Sequence, residues 1–168
     1  MKIFIVEDDK FYVSILEYHL SLNPEFETEI YSSGKNCIEH LYKKPDLVTV
    51  DFSFSDMSGS DVLREIKLYN STLPIIIISG QEDIASAVSL LQEGIYDYLI
   101  KTENLKGLLW NIVSNLKEKL TIETKLELLQ EEVMRNYDFT NTIKIKNFDS
   151  QNENLFDLYS LFENLNYF

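Results

Sequence analysis

The chain has 168 residues and a mass of 19.7 kDa, with 45% apolar and 26% charged residues, which suits one domain with a sizeable core and an extension. Its 15 Lys and Arg face 28 Asp and Glu, and the formal charge of −13 excludes a protein that holds nucleic acid or anionic lipid through its general field. The single cysteine, Cys37, excludes an internal disulfide framework and a CxxC metal clip; no apolar run approaches the roughly 20 residues of a membrane helix, and "MKIFIVEDD" ends in three acids, unlike a secretory leader, so a soluble cytoplasmic protein is expected.

In chain order, short β-branched runs alternate with longer segments of helical period, the pattern of strand–helix units feeding a parallel sheet. The expected strands are Lys2 to Val6, Phe26 to Ser32, Asp46 to Val50, Pro74 to Ser79 and Asp97 to Ile100. The first, third and fourth are nearly continuous in apolar residues, as central strands covered on both faces should be, and the second alternates like an edge. Helices are expected at Asp9 to Ser21, Gly34 to Lys43, Ser58 to Tyr69 and Asp83 to Glu93, punctuated by Pro24, Pro45 and Pro74 and by Gly34, Gly59, Gly80 and Gly94.

After Ile100 the pattern changes. Leu105, Leu109, Ile112 and Leu116 follow a 4-3-4 spacing, and Ile122, Leu126, Leu129 and Val133 repeat it, so a helix is expected from Asn104 to Asn136. The first set would pack on the sheet as a fifth helix, and the second would form a two-stranded coiled-coil seam; a single helix folding back on its own domain is the alternative. The expected divisions are residues 1–118, a helical linker at 119–137, and an Asn-rich acidic tail at 138–168 in which Leu155, Leu158, Phe162 and Leu165 share a helical stripe capped by Asn152 or Asn154.

In a parallel α/β sheet the working site lies at the carboxyl ends of the strands, where the loops diverge. Glu7, Asp8 and Asp9 follow the first strand, Asp51 the third, Ser79 closes the fourth, and Lys101 follows the fifth. Singly these are ordinary: Asp9 is a helix cap, Ser79 a turn hydroxyl, Lys101 a surface charge. Together they are not, because abutting carboxylates at low dielectric repel by several kcal/mol, roughly, unless a cation or a lysine stands between them. Hard oxygen ligands with water positions left over suit Mg²⁺, and with Lys101 opposite they make a phosphoryl-transfer site.

Four segments in this order resemble the response-regulator receiver domain of bacterial two-component signal transduction, over residues 2–118. They are "IFIVEDDKFYVSIL", "PDLVTVDFSFSDMSGSDVLREI", "PIIIISG" and "GIYDYLIKT". The resemblance implies a flavodoxin-like, doubly wound five-stranded parallel sheet of order 2-1-3-4-5 with five helices. It further implies that Asp51 accepts a phosphoryl group from a phosphohistidine on a sensor histidine kinase or phosphotransfer protein. Mg²⁺ would be held by Asp8, by Glu7 through water, by Asp51 and by the backbone carbonyl of Ser53. Ser79 and Lys101 would bind phosphoryl oxygens, Ser79 and Tyr98 would form the switch, and Ser53 and Gln81 would tune dephosphorylation. Such a chain is a phosphoprotein rather than an enzyme, with at most self-phosphorylation and autodephosphorylation.

Two positions depart from the family's pattern. Ser55 stands where the phosphoacceptor loop commonly has proline, which predicts a looser loop. Thr102 stands where proline commonly follows the lysine across a cis bond; since a non-proline cis bond costs about 3–4 kcal/mol, Lys101–Thr102 is expected to be trans with the lysine aimed differently, or cis and strained.

Residues 119–168 hold five Lys and Arg against nine Asp and Glu, and no GxxxxGK[ST] loop, so direct contact with nucleic acid is not expected. "ELLQEEVMRNYDFTNTI" resembles the linker that joins receivers to the ATPase domain of enhancer-binding transcription activators, which leaves open a fragment of such a regulator or a stand-alone receiver. A homodimer is expected through the C-terminal helix or through the face of the fourth helix, fifth strand and fifth helix. The competing classes are a Mg²⁺-dependent phosphohydrolase, which commonly has Asp where Ser53 stands, a flavodoxin-like cofactor binder, which needs Ser, Thr and Gly rather than "EDD", and a pseudo-receiver scaffold, which would not require the full acidic set.

Overall fold

The computed structural model describes residues 1–53, 57–80 and 84–149, with side chains described through residue 137 except at Ile84. Ser55, Gln81 and the tail stripe of Leu155, Leu158, Phe162 and Leu165 with its caps therefore lie outside the described residues. The chain divides into two compact units, Met1–Glu118 and Lys119–Phe168.

The strands are β1 (Lys2–Val6), β2 (Glu27–Tyr31), β3 (Leu47–Asp51), β4 (Ile75–Ser79) and β5 (Asp97–Ile100), and they form one parallel sheet of order β2-β1-β3-β4-β5. Every residue of β3 and β4 is buried, as expected of nearly continuous apolar strands covered on both faces. On the edge strand β2, Glu27 and Glu29 pair with Lys2 of β1, and Glu29 also meets Lys43 at 2.5 Å.

Alternation along the strands sorts the core into two layers. Phe4, Val6, Val48, Val50, Ile75 and Ile77 share one layer with Cys37, Val62, Leu63, Ile66 and Leu90 of the helices α2 (Gly34–Glu39), α3 (Gly59–Tyr69) and α4 (Ile84–Gln92). Their strand neighbours Ile3, Ile5, Ile76 and Ile78 are equally buried and take the opposite face by parity. The buried stripes of the other two helices are Leu16 and Leu20 of α1 (Lys10–Ser21) and Leu105, Leu109, Val113 and Leu116 of α5 (Leu105–Asp149).

Three local features differ from the periodicity. α2 ends at Glu39, and a 3-10 turn at Leu41–Lys43 follows. Pro45 disfavours helical backbone at Lys44, which instead takes a left-handed φ of 55°, so the chain tightens before it can continue the helix. In α5 the fully buried third position is Val113 rather than Ile112, which is half-buried, because a stripe about 100° wide admits both. Past Glu118 the helix continues to Asp149, beyond the expected end at Asn136, since Thr140 to Asp149 contain neither Gly nor Pro to stop it.

The helix ends follow the sequence closely. Asp9 caps α1 by accepting from the Phe11 N–H at 2.8 Å, Ser33 accepts from Asn36, and Ser58 accepts from the Asp61 N–H while its hydroxyl donates to the Asp61 carboxylate at 2.7 Å. α4 closes on Gly94, whose φ of +91° lets its N–H reach the Leu91 carbonyl while that of Ile95 reaches Leu90. Among the described residues, no helix is long and apolar enough to cross a membrane.

Candidate functional site

Parallel pairing puts the carboxyl ends of all five strands on one rim, and the register decides what meets there. Val6 pairs with Val50, so Glu7 and Asp51 emerge side by side; Asp51 pairs with Ile78 and Ser79 with Ile100, so Ser79 and Lys101 are the next residues along. The rim is tied by the Glu7 N–H to Tyr31, the Phe52 N–H to Ile78 and the Lys101 N–H to Ser79, each donating to a backbone carbonyl at 2.8 to 3.0 Å.

Glu7, Asp8 and Asp51 each bring a carboxylate oxygen within 4.8 Å of the others. Glu7 and Asp51 are buried and Asp8 is exposed, so the cluster has two deep carboxylates and one open to solvent. Lys101 answers the buried pair: its Nζ lies 2.7 Å from Glu7 Oε2 and 3.1 Å from Asp51 Oδ2, with the lysine side chain 8% exposed. Its aliphatic approach ends over the ring of Tyr12, whose centroid is 4.1 Å from Nζ.

The electrostatics follow from that crowding. Burial pushes the Glu7 carboxyl above the usual carboxylate range; the contact with Lys101 opposes this, and the negative charge of Asp51 adds to it. Burial alone would lower the Lys101 ammonium, but its contacts with Glu7 and Asp51 outweigh burial and raise it. Asp51 Oδ1 is buried and has no hydrogen-bond partner among the described residues. A desolvated carboxylate oxygen left bare beside two other carboxylates is the donor set of a hard divalent cation, so the residues fit a metal.

The other expected site residues are placed with less direct contact. Ser53 is exposed, two residues past Asp51, and forms a bridge with Ser58 that, with the Gly59 N–H donating to the Phe52 carbonyl, closes the loop between β3 and α3. Gly59 is needed there, because a Cβ would meet Phe52 Cδ2 at 2.9 Å and its Cα at 3.0 Å. Ser79 is buried at the end of β4, and Tyr98 on β5 is half-buried and packs against the core. There is no cis peptide bond among the described residues; Lys101–Thr102 is trans, and Lys101 reaches both buried carboxylates.

Sequence reasoning missed Tyr12. Phe11 and Tyr12 are adjacent aromatics at the start of α1, and nothing in their spacing says which one turns inward; in the fold Phe11 is exposed and Tyr12 covers Lys101.

Comparison with known proteins places this geometry in a family. The family described as "Response regulator receiver domain" matches residues 3–112. The transcriptional regulatory protein ZraR of Klebsiella oxytoca is 32% identical over 100 residues, 59% of this chain and 22% of that protein. The response regulator ArlR of Staphylococcus saprophyticus is 31% identical over 119 residues, covering 70% of this chain and 53% of ArlR. The chain thus spans between about a fifth and about half of the length of these relatives. Among solved structures, the signal receiver domain of a LuxO repressor protein from Vibrio parahaemolyticus superposes with a TM-score of 0.65 at 26% identity, covering 73% of this chain and 94% of that one. A response regulator receiver domain from Clostridium thermocellum gives 0.63 at 25% identity, covering 72% and 98%.

Proposed function

The chain belongs to the response-regulator receiver family, and on that premise we propose that Asp51 accepts a phosphoryl group from a phosphohistidine on a sensor histidine kinase or phosphotransfer protein, in a Mg²⁺-dependent reaction. The observation that carries the reading is the buried Asp51 carboxylate, with Oδ2 held by Lys101 and Oδ1 bare. An Asp51 oxygen attacks the phosphorus, the phosphorus–nitrogen bond breaks, and the imidazole leaves with the electron pair and takes up a proton. Asp8, Asp51, the Ser53 carbonyl and, through water, Glu7 would hold Mg²⁺, which would supply positive charge to the phosphoryl oxygens. Lys101 pairs with one phosphoryl oxygen and the Ser79 hydroxyl donates to another, so the donors are in place before charge redistributes.

The switch uses the same residues. Ser79 moves toward the phosphoryl group, and Tyr98, three residues before Lys101, turns into the space vacated, remodelling the face of α4, β5 and the first turns of α5. Ser53 and Gln81 tune the loss of the phosphoryl group to water. Turnover is at most self-phosphorylation and autodephosphorylation, so the chain acts as a phosphoacceptor rather than an enzyme.

The kinase approaches along α1, where Phe11, Tyr18 and the C-cap Leu22 expose apolar surface at spacings of 7 and 4 along the helix that starts at the acid cluster. A second copy of the chain pairs through the exposed stripe of Ile122, Leu126, Leu129 and Val133, or through the α4–β5–α5 face, where Val88, Leu91 and Leu108 are exposed. The output is control of transcription, by likeness to ZraR, exerted without direct nucleic-acid contact by this acidic chain in the bacterial cytoplasm.

Incubation with Mg²⁺ and acetyl phosphate should add one phosphoryl group, mapped to Asp51 by mass spectrometry after borohydride trapping, and Asp51→Asn should abolish it. A wild-type chain that stays unmodified, or Asp51→Asn modified as fast as wild type, would sink the reading.

A further inference from the structure

The ionic partners of Lys101 are the groups that phosphoryl transfer rearranges. Glu7 and Asp51 hold its ammonium at 2.7 and 3.1 Å, and both belong to the cluster that fits a metal. With a metal bound and a phosphoryl group on Asp51, Glu7 would turn toward the metal and the Asp51 contact would pass to a phosphoryl oxygen, so neither carboxylate would hold the lysine as it does now. A four-carbon stem with a point charge at its end then has many rotamers to choose from.

One partner is outside that exchange. Tyr12, the third residue of α1, places its ring centroid 4.1 Å from Lys101 Nζ. The face of an aromatic ring carries the negative lobe of its quadrupole and attracts an ammonium, more strongly where water is excluded. Lys101 is 8% exposed, so the contact is of the desolvated kind. Mg²⁺ takes hard oxygen ligands and gives up its water reluctantly, so it would not displace the ammonium from the ring.

We propose that Tyr12 is a positioning residue for Lys101: its ring face keeps the ammonium over Asp51 while Glu7 and Asp51 exchange the lysine for metal and phosphoryl group. This rests on the receiver reading and adds to it a residue that touches neither metal nor phosphorus. The hydroxyl is not required, because the attraction comes from the ring; phenylalanine serves and an aliphatic side chain does not.

The test titrates the full chain with beryllofluoride in saturating Mg²⁺, for wild type, Tyr12→Phe and Tyr12→Leu, and follows the Lys101 methylene protons by NMR. Tyr12→Phe should bind within about twofold of wild type and Tyr12→Leu about fivefold more weakly. In wild type and Tyr12→Phe the Lys101 Hε protons should show an upfield ring-current shift that persists when beryllofluoride is bound. Equal binding by Tyr12→Leu, equal loss in Tyr12→Phe and Tyr12→Leu, or disappearance of the ring-current shift in beryllofluoride-bound wild type each overturns the role of Tyr12 and leaves the receiver reading standing. A wild-type chain that takes no beryllofluoride overturns the receiver reading, and this proposal with it.

Discussion

Lys101 Nζ stands 2.7 Å from Glu7 Oε2, and the glutamate side chain is 1% exposed, so the ammonium of the site is lodged against a buried carboxylate of the cluster that fits a metal. Each partner screens the other's burial. Removing one leaves a buried charge without its counterpart, and the site then depends on what ion replaces it.

Lys101→Met should therefore destabilise the metal-free fold by about 3–5 kcal/mol, because Glu7 and Asp51 would repel with nothing between them. Millimolar Mg²⁺ should restore a larger part of that loss than it adds to wild type. Urea denaturation with and without Mg²⁺ measures both; an equal Mg²⁺ increment in the two proteins would contradict the competition between lysine and metal.

Glu7 links the fold to pH with a definite sign. Its folded carboxyl is raised above the 4.5 of an unperturbed glutamate, chiefly by burial, so the proton it binds stabilises the fold fully below that pH, and the contribution is lost as pH rises through the folded value. Glu7→Gln has no such proton. The stability of wild type relative to Glu7→Gln should fall as pH is raised from 4.5, in metal-free buffer. Denaturant midpoints of the two proteins across that range give the slope, and a difference that grows in favour of wild type would reverse the sign argued here.

Gly34 opens α2 against α3, and a Cβ there would lie 2.4 Å from Val62 Cγ2 and 2.8 Å from Met57 Cγ. Val62 is buried and β-branched, so it has little room to turn. Gly34→Ala should cost about 1–3 kcal/mol despite its better helix propensity. A thermal midpoint equal to or above wild type would show that Val62 and Met57 yield.

Cys37 is the chain's only thiol, fully buried, and burial pushes its pKa up to about 12. Thiolate attack on an aromatic disulfide reagent at neutral pH should then wait for global opening. The labelling rate should fall in parallel with the unfolding equilibrium as denaturant is withdrawn, and fast labelling in native buffer would point to local opening of α2.

The exposed stripe from Ile122 to Val133 predicts self-association of the full chain. Sedimentation equilibrium of wild type should give a dimer, and Leu126→Glu with Leu129→Glu should shift it to monomer with the receiver unit unchanged in beryllofluoride binding. Dimer retained by the double variant would move the interface to the α4–β5–α5 face.

By itself the sequence determined the elements and the rim. Strand and helix periods are local, so unbroken runs such as "PIIIIS" and the cap at Asp9 needed no partner to be read, and parallel pairing then put Glu7, Asp8, Asp51, Ser79 and Lys101 on one side. Only the tertiary structure decided which of them touch. The Val6–Val50 and Ser79–Ile100 registers bring residues 7, 51 and 101 together, helix packing turns Tyr12 rather than Phe11 over the lysine, and the close approach of α2 to Val62 is what demands Gly34. Those outcomes depend on contacts between residues dozens of positions apart, and local propensity, which acts over one turn or one pleat, carries no information about them.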